Sequence, residues 1–183
     1  MSTQTSSEAQ STTKVSELPV PENELTRLLA NRGTVRNFKP DPIPGSWVNA
    51  IVEYGMRAPT SSNREEYSVV VVHDHETRKK LAKVASNQQH IIDCPVFFAI
   101  CADQNRVAEA IDLHGKEYAA AHTFEGGLVA SIDAALVGLT MSYVADSFGL
   151  SNVMIGALRN NAVEVSKILK LPPRCYAVFG LCV

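Results

Sequence analysis

The segment GLVASIDAALVGLTMSYVADSFGL, Gly127 to Leu150, constrains the fold more than any other part of the chain. It is long and apolar enough to span a bilayer. Asp133 and Asp146 lie inside it, and an acidic side chain in hydrocarbon costs about 3 kcal/mol or more. The segment therefore reads as a helix that protein buries on most of its sides. A chain with such a helix must supply surfaces to cover it. With 183 residues, 45% of them hydrophobic, one domain with a core of that kind is within reach.

The rest of the pattern supplies those surfaces. YSVVVVHD, CPVFFAICAD, SNVMIG and RCYAVFGLCV are short, apolar and rich in β-branched or aromatic residues, and they read as buried strands. PENE introduces a helix from Pro21 to Ala30. After the three prolines of KPDPIPG, Ser46 is placed to cap a second helix running to Met56. HETRKKLAKVAS is amphipathic, Asp103 to Tyr118 reads as helix with weak periodicity, and NNAVEVSKILK is another helix. Strands intermixed with helices that cover them predict an α+β or α/β sandwich. Residues 1–20 are rich in Ser and Thr and read as a disordered tail, and 21–183 as one domain.

Charge and cysteine usage narrow the function. The formal net charge is −2, so no global basic field points to nucleic acid. Cys94, Cys101, Cys175 and Cys182 sit in or beside apolar runs, without CxxC spacing or histidines at zinc-ligand distance, and read as buried reduced thiols of a cytoplasmic protein. The N-terminus carries no apolar run of signal-peptide length and no arginine, which agrees with the cytoplasm.

Three stretches carry candidate chemistry. In RGTVRNF, Arg32, Thr34 and Arg36 bring two guanidinium forks and a hydroxyl, the donors that match phosphate oxygens. Two exposed arginines after a helix would look the same. In PTSSN, Ser61, Ser62 and Asn63 can bond ligand hydroxyls or merely their own backbone. In MIGALRNN, a strand ends at Ile155, and small Gly156 and Ala157 let a flat ligand approach the backbone; a plain strand–helix turn needs the same residues. No GxGxxG turn, P-loop or Ser/His/Asp order is present. His90, His114 and His122 read as ordinary surface or half-buried histidines.

Taken together these stretches resemble the FMN-dependent nitroreductase family, in particular its NADPH nitroreductase and flavin reductase branch. RGTVRNF is similar to the family's Arg-x-Ser/Thr-Ile/Val-Arg-x-Phe. RAPTSSNREEY is similar to its Ala-Pro-Ser/Thr-Ser-x-Asn-x-Gln-Pro-Trp, NQQHIIDCPVFFAICAD to the branch's Gln-x-His followed by a buried strand, and GLSNVMIGALRNN through GLC to its last segment. The resemblance implies an α+β sandwich with a central, mainly antiparallel sheet flanked by helices. It implies FMN as cofactor and NAD(P)H as substrate, with nitro compounds, quinones or free flavins reduced in ping-pong fashion and the chemistry carried by FMN. Arg32 and Thr34 would hold the FMN phosphate, and Arg36 would lie nearer the ring. Ser61, Ser62 and Asn63 would reach in from the partner of a homodimer. Gln88 would contact the ring, and Ile155, Gly156 and Ala157 would offer backbone to it. The Gly127–Leu150 helix would form the dimer interface, with Leu136 and Met141 in it.

The chain departs from the family pattern at Gly33, Glu65, Glu66, Tyr67 and Ala157. Relatives continue past GLC with a Lys/Arg-bearing segment, whereas this sequence ends at Val183. The expectation is therefore a C-terminally short domain, weaker FMN binding, and a RCYAVFGLCV strand near an unprotected sheet edge. An impaired flavin-binding homologue, or a phosphate-binding module without redox chemistry, are the competing expectations.

Overall fold

The computed structural model describes residues 20–183. The expected tail lies outside these residues, Val20 excepted. Residues up to Asn31 and Arg32–Val183 form two separate units. In the first, α1 (Glu24–Asn31) opens on a reciprocal cap. Asn23 Oδ1 accepts from the Thr26 N–H at 3.0 Å, and Thr26 Oγ1 accepts from the Asn23 N–H at 2.8 Å. This cap, rather than Pro21, sets where the helix begins.

The second unit contains α2 (Gly45–Gly55), β1 (Tyr67–Val72), α3 (His75–Val84), α4 (His90–Asp93), β2 (Phe97–Asp103), α5 (Asn105–Asp112), α6 (Phe124–Ser147), β3 (Val153–Ile155), α7 (Ala162–Leu169) and β4 (Cys175–Cys182). The strands form one sheet in the order β1-β2-β4-β3, with every neighbouring pair antiparallel. This is the α+β sandwich that the sequence and its resemblance predict.

Strand β2 shows why the sheet is covered on both faces. All seven of its residues are buried. Side chains alternate between faces. Phe97, Ala99 and Cys101 pack with Leu81 of α3, Ile91 of α4 and Val165 of α7. Phe98 and Ile100 pack with Ile51 of α2 and with Ala134, Val137 and Met141 of α6. The four cysteines are free and buried on the α3–α7 side. There Cys101 and Cys182 each neighbour a second thiol, and that contact and burial push both well above the ordinary thiol range.

Helix α6 lies close on the other face because Gly138 carries no side chain. A Cβ at Gly138 would fall 2.4 Å from the Phe179 ring and 3.2 Å from Ile100. Thr123 caps the helix by accepting from the Gly126 N–H at 3.0 Å, so it begins before the expected Gly127. It ends at Ser147, ahead of Gly149 at φ +75°. One face of α6 is buried in protein, while Leu128, Ile132 and Leu136 stay 42%, 49% and 36% exposed.

Several expectations are corrected. Met141 does not face outward; it is fully buried, packed where a Gly55 side chain would otherwise stand. The RCYAVFGLCV strand meets its expectation in part: β4 pairs with β2 along its length but with the three-residue β3 only over Gly180–Cys182, which leaves Cys175–Phe179 without a strand neighbour on that side among the described residues. β1 is one of the two edge strands, β3 being the other, and for that reason Val69, Val70 and Val71 are only half-buried instead of fully buried. Ser46 does not cap α2, which starts at Gly45 with Pro44 at the cap position and no side-chain bond. The helix expected over 103–118 is confined to α5, because Asp103 belongs to β2 and Gly115 turns the chain at φ +66°.

Two glycines of α6 should respond oppositely to alanine. Gly138→Ala forces overpacking against Phe179, a cost of about 1–3 kcal/mol, which exceeds or cancels the helix-propensity gain of roughly 1 kcal/mol. At Gly127 the nearest atom to a new Cβ is 3.6 Å away, so Gly127→Ala should stabilise. Urea midpoints that moved in the same direction for both variants would contradict this seating of α6.

Candidate functional site

The RGTVRNF loop is laid against the chain just before β3. Thr34 forms a parallel bridge with Asn152, and the Val35 N–H donates to the Asn152 carbonyl at 3.2 Å. Arg32 is held from behind. Its Nε lies 3.2 Å from Asp146 Oδ2, and its Nη2 donates to Ser142 Oγ at 2.9 Å. The guanidinium also sits 5.5 Å from the centroid of the Tyr143 ring. Asn152, 1% exposed, ties these partners together. It accepts from Ser142 Oγ at 2.7 Å and donates to Asp146 Oδ1 at 2.8 Å. These contacts use Nε and Nη2 of Arg32 and leave Nη1 without a protein partner among the described residues.

Arg32, Thr34 and Arg36 line one cavity of about 150 Å³, together with Asn152, Val153 and Met154. Arg36 also borders Asp93, which places the loop beside the Gln88–Asp93 stretch. Gln88 is half-buried after the left-handed Ser86 and Asn87, with its N–H donating to the Ala82 carbonyl at 3.3 Å. His90 opens α4, and its Nε2 is buried without a hydrogen-bond partner. Burial first, and the Arg36 charge second, hold the His90 imidazole below the usual histidine range. Beyond β3 the chain enters a 3₁₀ turn over Gly156–Asn161. Ile155 is in the core, while Gly156 and Ala157 are half-buried. The Arg159 guanidinium lies over this turn: it stands 3.2 Å from where a Gly156 Cβ would be and donates to the Val178 carbonyl.

Ser61, Ser62 and Asn63 lie elsewhere, on an exposed 3₁₀ turn. Asp133 of α6 accepts from the Ser61 N–H at 2.9 Å, and Asp146 of the same helix holds Arg32. At 1.5 Å per residue these two carboxylates are about 20 Å apart along the axis. Within one chain, then, the Arg32 cavity and the hydroxyl turn are not brought together. Sequence reading passed over Asn152, Ser142, Asp146, Asp133, His90 and Arg159 as site-forming residues. The two aspartates do carry a signal in the sequence, as the only carboxylates of the long apolar stretch, where a buried acid must meet polar partners. Among the described residues no three His, Cys, Asp or Glu side chains gather into a metal-binding group.

The fold is thus an antiparallel α+β sandwich with a cavity lined by two arginines and a threonine beside β3. The sequence profile described as Nitroreductase family matches residues 29–183, and the chain belongs to that family. It is 33% identical over 162 residues to a Bacillus subtilis protein named FMN reductase (NAD(P)H), covering 88% of this chain and 65% of that one. It is 32% identical over 160 residues to the NADPH-flavin oxidoreductase of Vibrio harveyi, covering 87% and 64%. Among solved structures, that of B. megaterium NfrA2 superimposes with a TM-score of 0.86 at 30% identity, covering 88% of this chain and 65% of that one. The Vibrio harveyi NADPH:FMN oxidoreductase complexed with NAD+ gives 0.82 at 30% identity, covering 87% and 67%. The chain thus spans a little under two thirds of the length of the relatives it matches by sequence.

The Arg36–His90 proximity has a titration consequence. Since the folded pKa is depressed, the unfolded chain takes up the His90 proton first on acidification, and stability falls as pH drops below about 6.5. Arg36→Ala removes one cause of the depression and should raise the His90 pKa. NMR titration of the imidazole in both proteins measures this; unchanged values would separate the two side chains.

Proposed function

We propose that this chain is the core of an FMN-dependent NAD(P)H oxidoreductase that works as a homodimer in the cytoplasm. The observation that carries the reading is the single cavity shared by Arg32, Thr34 and Arg36, in a chain whose relatives are named as flavin reductases. The residues present fit the phosphate end of FMN. Two guanidinium groups and a hydroxyl border the cavity, and the buried Nε2 of His90 lies unpartnered beside Arg36. At about 150 Å³ the cavity suits a phosphate, whereas pockets for ring-sized ligands start at about 300 Å³. The ring would therefore lie outside it.

Each residue then has a task. Arg32 and Thr34 hold the phosphate, with Arg32 aimed by Asp146 and Ser142. Arg36 places a cation toward the electron-accepting ring, where it favours the reduced anion. Gln88 reaches the ring edge, and the Ile155–Ala157 backbone lies along it, where the small Gly156 and Ala157 permit close approach. FMN, when bound, supplies the hydride chemistry that passes electrons from NAD(P)H to a nitro compound, quinone or free flavin. No side-chain nucleophile is required of the chain. The alternative of an impaired flavin-binding homologue draws no support from relatives named as reductases.

The dimer supplies the remaining contact. Leu128, Ile132 and Leu136 repeat every fourth residue on the exposed face of α6 and offer an apolar stripe to a second copy. A two-fold axis crossing α6 near Thr140, just past the C-terminal end of that stripe, sets the helices antiparallel, so the Asp133 end of one meets the Asp146 end of the other. That arrangement closes the gap of about 20 Å and brings Ser61, Ser62 and Asn63 of one protomer to the Arg32 cavity of its partner.

Reconstitution followed by gel filtration should retain FMN in preference to FAD, and NADPH should bleach the bound flavin under anaerobic conditions. Retention of FAD, or a flavin that NADPH leaves oxidised, would overturn the reading. Arg32→Ala should weaken FMN binding by roughly ten- to a hundred-fold, the equivalent of about 1.5–3 kcal/mol for a charge-assisted bond. Arg36→Ala should in addition lower the flavin potential. Leu136→Asp should convert the dimer to a folded monomer in sedimentation; a wild-type chain already monomeric at micromolar concentration would refute the interface.

A further inference from the structure

The Ser61–Asn63 turn is held in an uncommon backbone conformation. Ser62 and Asn63 both have φ of 53°, and Glu65 has φ of 52°. Three non-glycine residues in the left-handed region within four positions store strain that the surroundings must offset. The offset comes from one buried side chain. Asp133, 1% exposed on α6, accepts from the Ser61 N–H through Oδ1 at 2.9 Å and from the Glu66 N–H through Oδ2 at 3.3 Å. One carboxylate thus grips both ends of the strained stretch. Both of these are charge-assisted bonds, which compensate the desolvation of the carboxylate. The far end is held a second time. The Glu66 side chain, fully buried, accepts from the Tyr118 hydroxyl at 2.5 Å, with Arg64 Nε at 3.5 Å.

We propose that Asp133 is the positioning residue that shapes the Ser61–Asn63 turn for ligand contact. The inference rests on the reading above, in which this turn meets the FMN of the partner protomer. Three features carry it. Asp133 has no cationic partner among the described residues, so its only hydrogen bonds are the two that define the turn. The turn's side chains are exposed, so its conformation is not set by packing of those side chains. Finally, α6 carries only two carboxylates beyond its first turn, and each serves one half of the proposed site: Asp146 orients Arg32, and Asp133 orients the turn.

The test compares FMN binding and stability in the full chain. Asp133→Asn keeps the shape but replaces one acceptor by an NH2 group, which opposes one of the two N–H donors. Its FMN Kd, read by quenching of flavin fluorescence, should rise roughly tenfold, as for the loss of one charge-assisted bond. Val137→Ala, a core truncation one turn along the same helix, supplies the control: it should lower the melting temperature of the flavin-free protein while leaving the Kd within about twofold. Amide exchange at Ser61 and Glu66 should accelerate in Asp133→Asn and not in Val137→Ala. A Kd for Asp133→Asn that matched wild type or Val137→Ala would overturn the proposal. Asn63→Ala separates the two levels of the argument. If it weakens FMN binding while Asp133→Asn does not, the role of Asp133 falls alone. If Asn63→Ala leaves FMN binding unchanged, the contact itself is refuted and the proposal with it. Should Asp133→Asn not fold, Asp133→Glu, which keeps the charge and displaces both oxygens by one methylene, is read by the same outcomes.

Discussion

The seat of α6 on the sheet is the constraint on which the rest of this structure depends. An apolar helix of 24 residues must lose water on at least one face, and Gly138 lets its axis come down until the Phe179 ring fills the space of a missing side chain. Once that contact is set, Val137 and Met141 meet Phe98 and Ile100 from β2, and α2 closes over them through Ile51. The opposite sheet face is covered independently by α3, α4 and α7, so each layer of β2 residues has its own partner set. Burial of that apolar surface stabilises by about 25 cal/mol per Å², and loosening α6 would forfeit much of it on one face.

The same helix organises the polar part of the molecule. Asp146 and Asp133 leave its apolar surface at two different levels, and each meets a loop that has little structure of its own. At one level Asp146, Ser142 and Asn152 form a closed network around Arg32, with the Thr34 backbone bridged to Asn152. At the other level Asp133 grips the hydroxyl turn through main-chain N–H groups. Loops are usually the mobile carriers of function. Here two of them take their shape from one rigid element, so disturbance of α6 reaches both.

Much of this was legible in the sequence. The four strands and the long helix follow from runs of apolar, β-branched residues and from two acids that rule out hydrocarbon. The boundaries were less legible because they depend on caps. Thr123 and Asn23 begin helices through their side chains, whereas Ser46 is a good capping residue that the structure leaves unused behind Pro44. Sheet order was not legible from local pattern: β1 and β4 are both rich in β-branched and aromatic residues, yet β1 stands at the edge and β4 inside. The face assignment of α6 was also hidden, because the helix is apolar all round and periodicity cannot tell Leu136 from Met141. For the candidate site, the basic and hydroxyl-bearing residues were visible as types in motifs. Their supports were not, since Asn152, Ser142 and Asp133 matter through hydrogen bonds between segments far apart in sequence.

The pairing of Arg32 with Asp146 has a consequence for how an anion meets this surface. Arg32 and Arg36 look like a doubly charged cradle, but Asp146 cancels one of those charges, and His90 is biased toward its neutral form. With Asp93 bordering Arg36 as well, the net positive charge at this surface is one at most. Beyond a Debye length of about 8 Å at physiological salt, what remains of it is screened. Capture then depends little on long-range attraction and mainly on contact, where Nη1 of Arg32, the Thr34 hydroxyl and the Arg36 fork are met together. A crowd of small anions would gain little from such a surface, while a ligand that made further contacts beyond the cavity would gain much. Arg32 is a cation that its own protein keeps half-occupied.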